Sequence, residues 1–208
     1  VSQPARIRRA SPADAEAIVA VKRALALPAD ARAAPGGGFL LGASLEGYRA
    51  LIAAADVWVL NDTSGSVAGF AVLLPDAVLR ASELWARREA IRWDAPAGWM
   101  VPEADVCYFD QLAILPTARM RAPELALTAL RGAVRAGHQH LFATVVTHPV
   151  QNTASLALLR ALGARRVGSV DEEYEGVGRI VSDLYYAPIA GADERLVQTT
   201  RAGRRAVR

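Results

Sequence analysis

The segment from Tyr108 to Gly163 constrains the fold more than any other part of the chain. Tyr108–Leu115 (YFDQLAIL) is an apolar-rich run of strand length, and Pro116-Thr117-Ala118 interrupts it. A short basic stretch, Arg119-Met120-Arg121-Ala122-Pro123-Glu124, leads into a helical pattern over Leu125–Ala136. Gly137 supplies a turn, and Leu141–Val146 (LFATVV) reads as a second strand. Asn152 then opens another helical segment that closes at Leu162-Gly163. A strand feeding a loop whose backbone N–H groups open a helix is a common way to hold a phosphate.

The flanking sequence extends this alternation. Ala5–Arg9 (ARIRR) is a short strand candidate. Ser11-Pro12-Ala13-Asp14 is a helix start, with Ser at the N-cap, Pro in the first turn, and Asp14 and Glu16 near the helix N-terminus. The helix predicted over Ala15–Leu27 sets Ile18, Val21 and Leu25 on one face. A loop rich in Pro, Gly and Ala covers Pro28–Gly38, and Ser44 caps a second helix over Leu45–Ala55. Val57–Leu60 and Val67–Leu74 form a hairpin about the turn Asn61–Ser66. Ala77–Trp93 has helical composition, and Asp94–Pro102 is a loop containing Trp99. Two last strands are predicted over Val167–Val170 and Arg179–Tyr186. Periodicity alone gives a mixed α/β domain.

Composition narrows the function classes. A chain of 208 residues, 52% hydrophobic and 22% charged, suits one soluble domain with a tail and an insertion. The domain is expected over 1–190, with the insertion at 76–102. A basic tail at 191–208 is expected to be disordered. That tail carries Arg195, Arg201, Arg204, Arg205 and Arg208 against Asp193 and Glu194, which accounts for the net charge of +3. The body is therefore near neutral, and with no aromatic-basic interleaving a nucleic-acid partner is not expected. Cys107 is the single cysteine, so no internal disulfide forms. No run approaches the about 18 apolar residues of a membrane span, and no signal-peptide pattern begins the chain. The expected location is cytoplasmic. The scattered histidines have no metal-ligand spacing, so no metal is expected.

The order β-α-α-β-β-insert-β-α-β-α-β-β over residues 5–188, the basic turn Arg119–Glu124 and the Asn152-x-x-Ser155 segment resemble the GNAT superfamily of acetyl-CoA-dependent N-acetyltransferases. The opening Ile7–Ala15 is also similar to the start of many members. The resemblance implies a mixed, mostly antiparallel twisted sheet of about six or seven strands with flanking helices and splayed fourth and fifth strands. It implies acetyl-CoA as co-substrate and transfer of acetyl, by direct attack, to a primary amine on a small molecule or a peptide N-terminus. Many members are dimers, so a homodimer is among the implied states.

The superfamily's pyrophosphate signature, Arg/Gln-x-x-Gly-x-Gly/Ala, falls here on Arg119, Ala122 and Glu124. The resemblance assigns Arg119, Met120, Arg121, Ala122, Pro123, Glu124 and Leu125 to the phosphates. Both small positions depart from the signature, and Glu124 brings a charge that repels phosphate while suiting a bare helix N-terminus. The resemblance lays the pantetheine arm along Leu112, Ala113 and Ile114, with a backbone N–H near Leu112 as oxyanion donor. Read as residues, those three are equally ordinary sheet and core. Asn152 and Ser155 match the second cofactor segment, and on its own Asn152 is equally a helix N-cap. Leu159 stands where many members carry a Tyr that protonates the leaving thiolate.

Asp110 is the candidate base, since a carboxylate that takes a proton from the amine suits direct transfer. It is otherwise a surface or salt-bridged strand carboxylate. Glu103, Asp105 and His148 are further candidates, and Trp93 and Trp99 are candidates to line a cleft. The departures at Glu124 and Leu159 keep open a second reading, a non-catalytic CoA-binding or interaction domain.

Overall fold

The protein is described by a computed structural model over residues 6–28, 31, 34–42, 44–94, 103–192, 194, 195, 197 and 198. Eight strands form one sheet: β1 (Arg6–Arg9), β2 (Asp56–Asn61), β3 (Val67–Pro75), β4 (Arg92–Trp93), β5 (Val106–Ile114), β6 (His140–His148), β7 (Arg165–Tyr174) and β8 (Gly178–Pro188). Their spatial order is β1-β2-β3-β5-β6-β8-β7-β4. Every pairing is antiparallel except β5 with β6. The near-continuous apolar run of β3 is buried on both sheet faces, which marks a central strand.

The parallel step from β5 to β6 requires a crossover, which α5 (Ala122–Arg135) provides. Leu125, Ala126, Ala129, Leu130 and Ala133 recur at helical spacing and are buried against one face of the sheet, where α6 (Thr153–Ala161) adds Leu159. Gly132 lets α5 approach Trp58 of β2, because a Cβ there would stand 2.9 Å from the indole. The opposite face is covered by α1 (Ala15–Ala24) and α2 (Leu45–Ala54), with Ile18, Tyr48 and Phe70 fully enclosed. The predicted caps form: Ser44 Oγ accepts from Gly47 N at 3.0 Å, and Asp14 reaches back to Ser11 N at 2.7 Å. No described helix is long and apolar enough to cross a membrane.

Three expectations change. The first helix ends at Ala24, not Leu27, because the chain leaves it to pair with Phe39: Leu27 N donates to Phe39 O at 2.9 Å and Phe39 N to Leu25 O at 3.1 Å. The helical stretch expected over Ala77–Trp93 breaks into α3 (Asp76–Arg80), α4 (Glu83–Ala86), a 3-10 turn and β4. Ser82 causes the first break: its hydroxyl bonds Leu79 O at 2.6 Å and accepts from Trp85 N at 3.3 Å. Arg92 and Trp93 then take the open edge of β7 beside Gly168, which raises the strand count to eight. The start of the expected tail is packed: Ala192 is buried, and Arg195 donates to Leu162 O, Pro188 O and Ala190 O at 2.8, 2.9 and 3.2 Å. Trp99 and the arginines beyond residue 198 lie outside the described residues.

Candidate functional site

Strands β5 and β6 begin together and then part. Their pairing covers only Val106–Tyr108 against His140–Phe142, while β5 runs on to Ile114. From Phe109 onward the edge of β5 turned toward β6 has no strand partner among the described residues. Leu115 N donates to Ala68 O across to β3, at 2.8 Å. By the alternation of an antiparallel pair, the N–H groups of Leu112 and Ile114 point the other way, into the fork.

A bulge sits at the fork. Val72 pairs with Gln111 and Leu73 with Phe109, so Asp110 is the extra residue. The bulge brings Asp110 and Gln111 to the same face, the one covered by α1 and α2. There they join a polar chain within an aromatic surround. Tyr48 Oη donates to Gln111 Oε1 at 2.5 Å, and Gln111 Nε2 donates to Asp110 Oδ2 at 2.7 Å. A carboxylate only accepts, which fixes the direction of both bonds. Lys22 enters from α1, with Nζ 4.7 Å from the Phe39 ring centre and 5.8 Å from that of Tyr48.

Asp110 keeps part of its surface open, yet the surrounding protein pushes its carboxyl above the usual range. Burial outweighs the Gln111 bond and the Lys22 charge, which act the other way. Burial likewise lowers the Lys22 ammonium, against the attraction of Asp110. The Tyr48 phenol is pushed up by burial and by Asp110. The site therefore holds a carboxylate inclined to take a proton at the point where the sheet opens.

The other side of the fork is bounded by two helix starts. Residues Pro116–Arg121 form a 3-10 turn that runs into α5, with Ala118 N bonded to Leu115 O and Ala122 N to Arg119 O. Arg121 and Glu124 form a two-point ion pair, Nε–Oε2 at 2.9 Å and Nη2–Oε1 at 2.7 Å. Asn152 caps α6, its Oδ1 accepting from Ser155 N at 3.2 Å. The Gly36-Gly37 turn crosses between the two: Arg119 Nη2 donates to Gly36 O at 3.4 Å, and a Cβ on Gly37 would stand 3.7 Å from Asn152 Oδ1.

No protein-family profile and no curated protein matches the sequence. Solved structures do match. An N-acetyltransferase from Staphylococcus aureus Mu50 superposes with a TM-score of 0.60 at 16% identity, covering 90% of this chain and 99% of that one. A GCN5-related N-acetyltransferase from Kribbella flavida gives 0.57 at 22% identity, covering 88% and 97%. The protein yncA from Salmonella typhimurium, solved with its cofactor acetyl-CoA, gives 0.60 at 16% identity, covering 90% and 95%. The chain has the GNAT fold.

Within that fold the expected splayed strands are β5 and β6, since β4 belongs to the insertion. Leu112, Ala113 and Ile114 lie along the open edge of the fork. Arg119 and Met120 are exposed beside it, Met120 at 82%, while Ala122 and Pro123 begin α5. Leu125 differs from the rest: its side chain is fully buried under the sheet, so only its backbone could face a ligand. Leu159 is buried in the same core, and no hydroxyl stands at its position. Glu103 and Asp105 precede the start of β5, where the strands still pair, whereas His148 is exposed at the far end of β6. Cys107 is buried and its thiol is pushed up to about 12, chiefly by burial and then by the Asp56 charge, which excludes a nucleophilic role. Among the described residues no group of His, Cys, Asp and Glu is placed to hold a metal ion. The sequence reading missed Lys22, Tyr48 and Gln111. Lys22 did leave a signal: it is the only lysine of the chain and lies four residues after Ile18, on the helix face assigned to the core.

Proposed function

We propose that the protein transfers acetyl from acetyl-CoA to a primary amine by direct attack, with Asp110 as the base. The observation that carries this reading is the bulged carboxylate at a fork where the same strand, β5, also offers unpaired backbone N–H groups. Acetyl-CoA, when bound, supplies the acetyl group as a thioester. The acceptor nitrogen forms the new C–N bond as the C–S bond breaks, Asp110 takes the proton that the nitrogen gives up, and the sulfur leaves with the bonding pair as a thiolate that takes its proton from water. Gln111, anchored by Tyr48, orients that carboxylate, and Lys22 tempers its basicity. The Leu112 N–H faces the place where negative charge develops.

The fit for the pyrophosphate rests on Arg119, Arg121 and the start of α5. Glu124 does not leave a bare repelling charge there, because Arg121 neutralises it. The Ala122 amide, bonded to Arg119 O, and the Arg121 guanidinium, bonded to Glu124, are already used, so more of the phosphate contact falls to Arg119 than in a glycine-rich loop. Asn152 and Ser155 bound the pantetheine side. The reading is tested by following free thiol release from acetyl-CoA over a panel of amines. Amine-dependent release that is lost in Asp110→Asn supports it; release with no amine product, or none with any amine, contradicts it.

A further inference from the structure

The broken insertion between β3 and β5 roofs a chamber on the sheet face opposite α5 and α6. Leu84, Trp85 and Trp93 are among the roof residues, and Tyr108, Phe142 and Thr144 are among the floor residues. The cavity measures about 60 Å³ and its walls are almost wholly apolar. The polar groups it touches are engaged, except that Glu172 Oε1 is buried in an ion pair with Arg87 and has no hydrogen bond among the described residues. Tyr108 Oη and Thr144 Oγ1 bond one another, while Glu172 accepts from Tyr174 Oη at 2.9 Å and lies 2.9 Å from Arg87 Nη1. Trp85 is held between the guanidinium groups of Arg80 and Arg88, 4.5 and 5.3 Å from its ring centre. Such a cavity offers little to water and much to a small hydrocarbon group.

Its position gives it a use. Tyr108 and Phe142 are the last pair before β5 and β6 part. Asp110 lies two residues further along β5, roughly 7 Å on at strand spacing. The helix starts assigned to the cofactor pack on the other face of the sheet. A group seated in the chamber therefore meets the fork from the side opposite the cofactor, next to the base. We infer that the chamber holds the apolar body of the acceptor, a primary amine bearing a small branched alkyl group. This inference rests on the transferase reading above for its role, though not for its occupancy.

Trp85 and Trp93 line the chamber, so tryptophan emission reports occupancy without turnover. The experiment titrates the full chain with isobutylamine and isopentylamine, with ethanolamine as the control that lacks an apolar body and benzylamine as the control whose ring exceeds the cavity. Leu84→Glu places a charge in the roof, and Leu84→Phe fills the space without one; thermal melting checks that both fold. The expected result is a saturable emission change with the first two amines only, weakened about ten-fold or more in both variants, with acetyl-CoA binding by calorimetry unchanged. The same amines should show the lowest KM in thiol release. An equal response to ethanolamine or benzylamine, or an equal response in wild type and variants, overturns the inference. So does a preference that follows the acyl chain of the thioester with the amine held constant. Chamber binding without acetyl-CoA binding sinks the transferase reading alone, and turnover indifferent to the amine's body sinks the chamber alone.

Discussion

Asp14→Asn tests how the first helix is fixed to the sheet, and its effect can be worked from the contacts. Arg8 donates to the Asp14 carboxylate from Nη1 at 2.8 Å and Nη2 at 2.7 Å, and Ser11 adds N at 2.7 Å and Oγ at 2.9 Å. The Arg8 bonds foremost, with Ser11 helping against burial, lower the carboxyl from 3.8 to about 2. At about 1.4 kcal/mol per pH unit that gap corresponds to roughly 2.4 kcal/mol. The Arg8 side chain is 34% exposed, so solvent screening reduces the figure to about 1–2 kcal/mol. The folded-state value is depressed, so this stability is fully present above the unfolded value near 4 and is lost as pH falls toward 2. Urea unfolding of wild type and Asp14→Asn across that range should show a difference of about 1–2 kcal/mol at neutral pH that shrinks on acidification. Arg8→Met should cost a similar amount, and the double variant less than the sum. A wild-type advantage that stays constant down to pH 2, or none at neutral pH, refutes the reasoning. The consequence reaches the site, because the anchored helix carries Lys22.

Asp110→Asn should lower kcat by roughly a hundred-fold or more with no fall in Tm, because it removes a carboxyl whose burial is costly. Removing the Lys22 charge raises the Asp110 carboxyl further, so the acid limb of kcat/KM should move to higher pH in Lys22→Met; a limb that stays in place or moves lower contradicts the pairing. Arg195→Ala loses three bonds from a charged donor to carbonyls and should destabilise the fold by about 1–3 kcal/mol in denaturant unfolding. The Cys107 thiol should stay unreactive toward a disulfide reagent at pH 8 in the native protein and react on unfolding; native labelling would show that the strand opens.

Much of the fold was legible because local signals agreed with it. The Ser11 and Ser44 caps, the hairpin turn Asn61–Ser66 and the apolar face of α5 each act within a few residues, so sequence carries them directly. The helix expected over Ala77–Trp93 breaks because its composition competes with Ser82 bonding Leu79 O and with a free β7 edge, and the second of these is set by distant residues. The packed start of the tail escaped for the same reason: Arg195 reads as a charge in a basic run, and only the fold brings three carbonyls to it. At the site, Asp110 could be singled out by type and strand position. The bulge that turns it beside Gln111 depends on the register with β3, which no local pattern records. Tyr48 and Lys22 come from two helices whose packing alone makes them neighbours of that carboxylate. The ion pair between Arg121 and Glu124 is a local three-residue spacing, and it changes the meaning of a departure that the bare signature makes look prohibitive.

Calorimetric titration with acetyl-CoA of wild type, Arg119→Ala and Glu124→Gln tests the central claim most directly. The account predicts saturable binding, weakened about ten-fold without the Arg119 guanidinium and tightened when Glu124 no longer occupies Arg121. No heat and no thermal stabilisation at millimolar acetyl-CoA in all three proteins would contradict it, and would leave a GNAT fold whose fork serves another ligand.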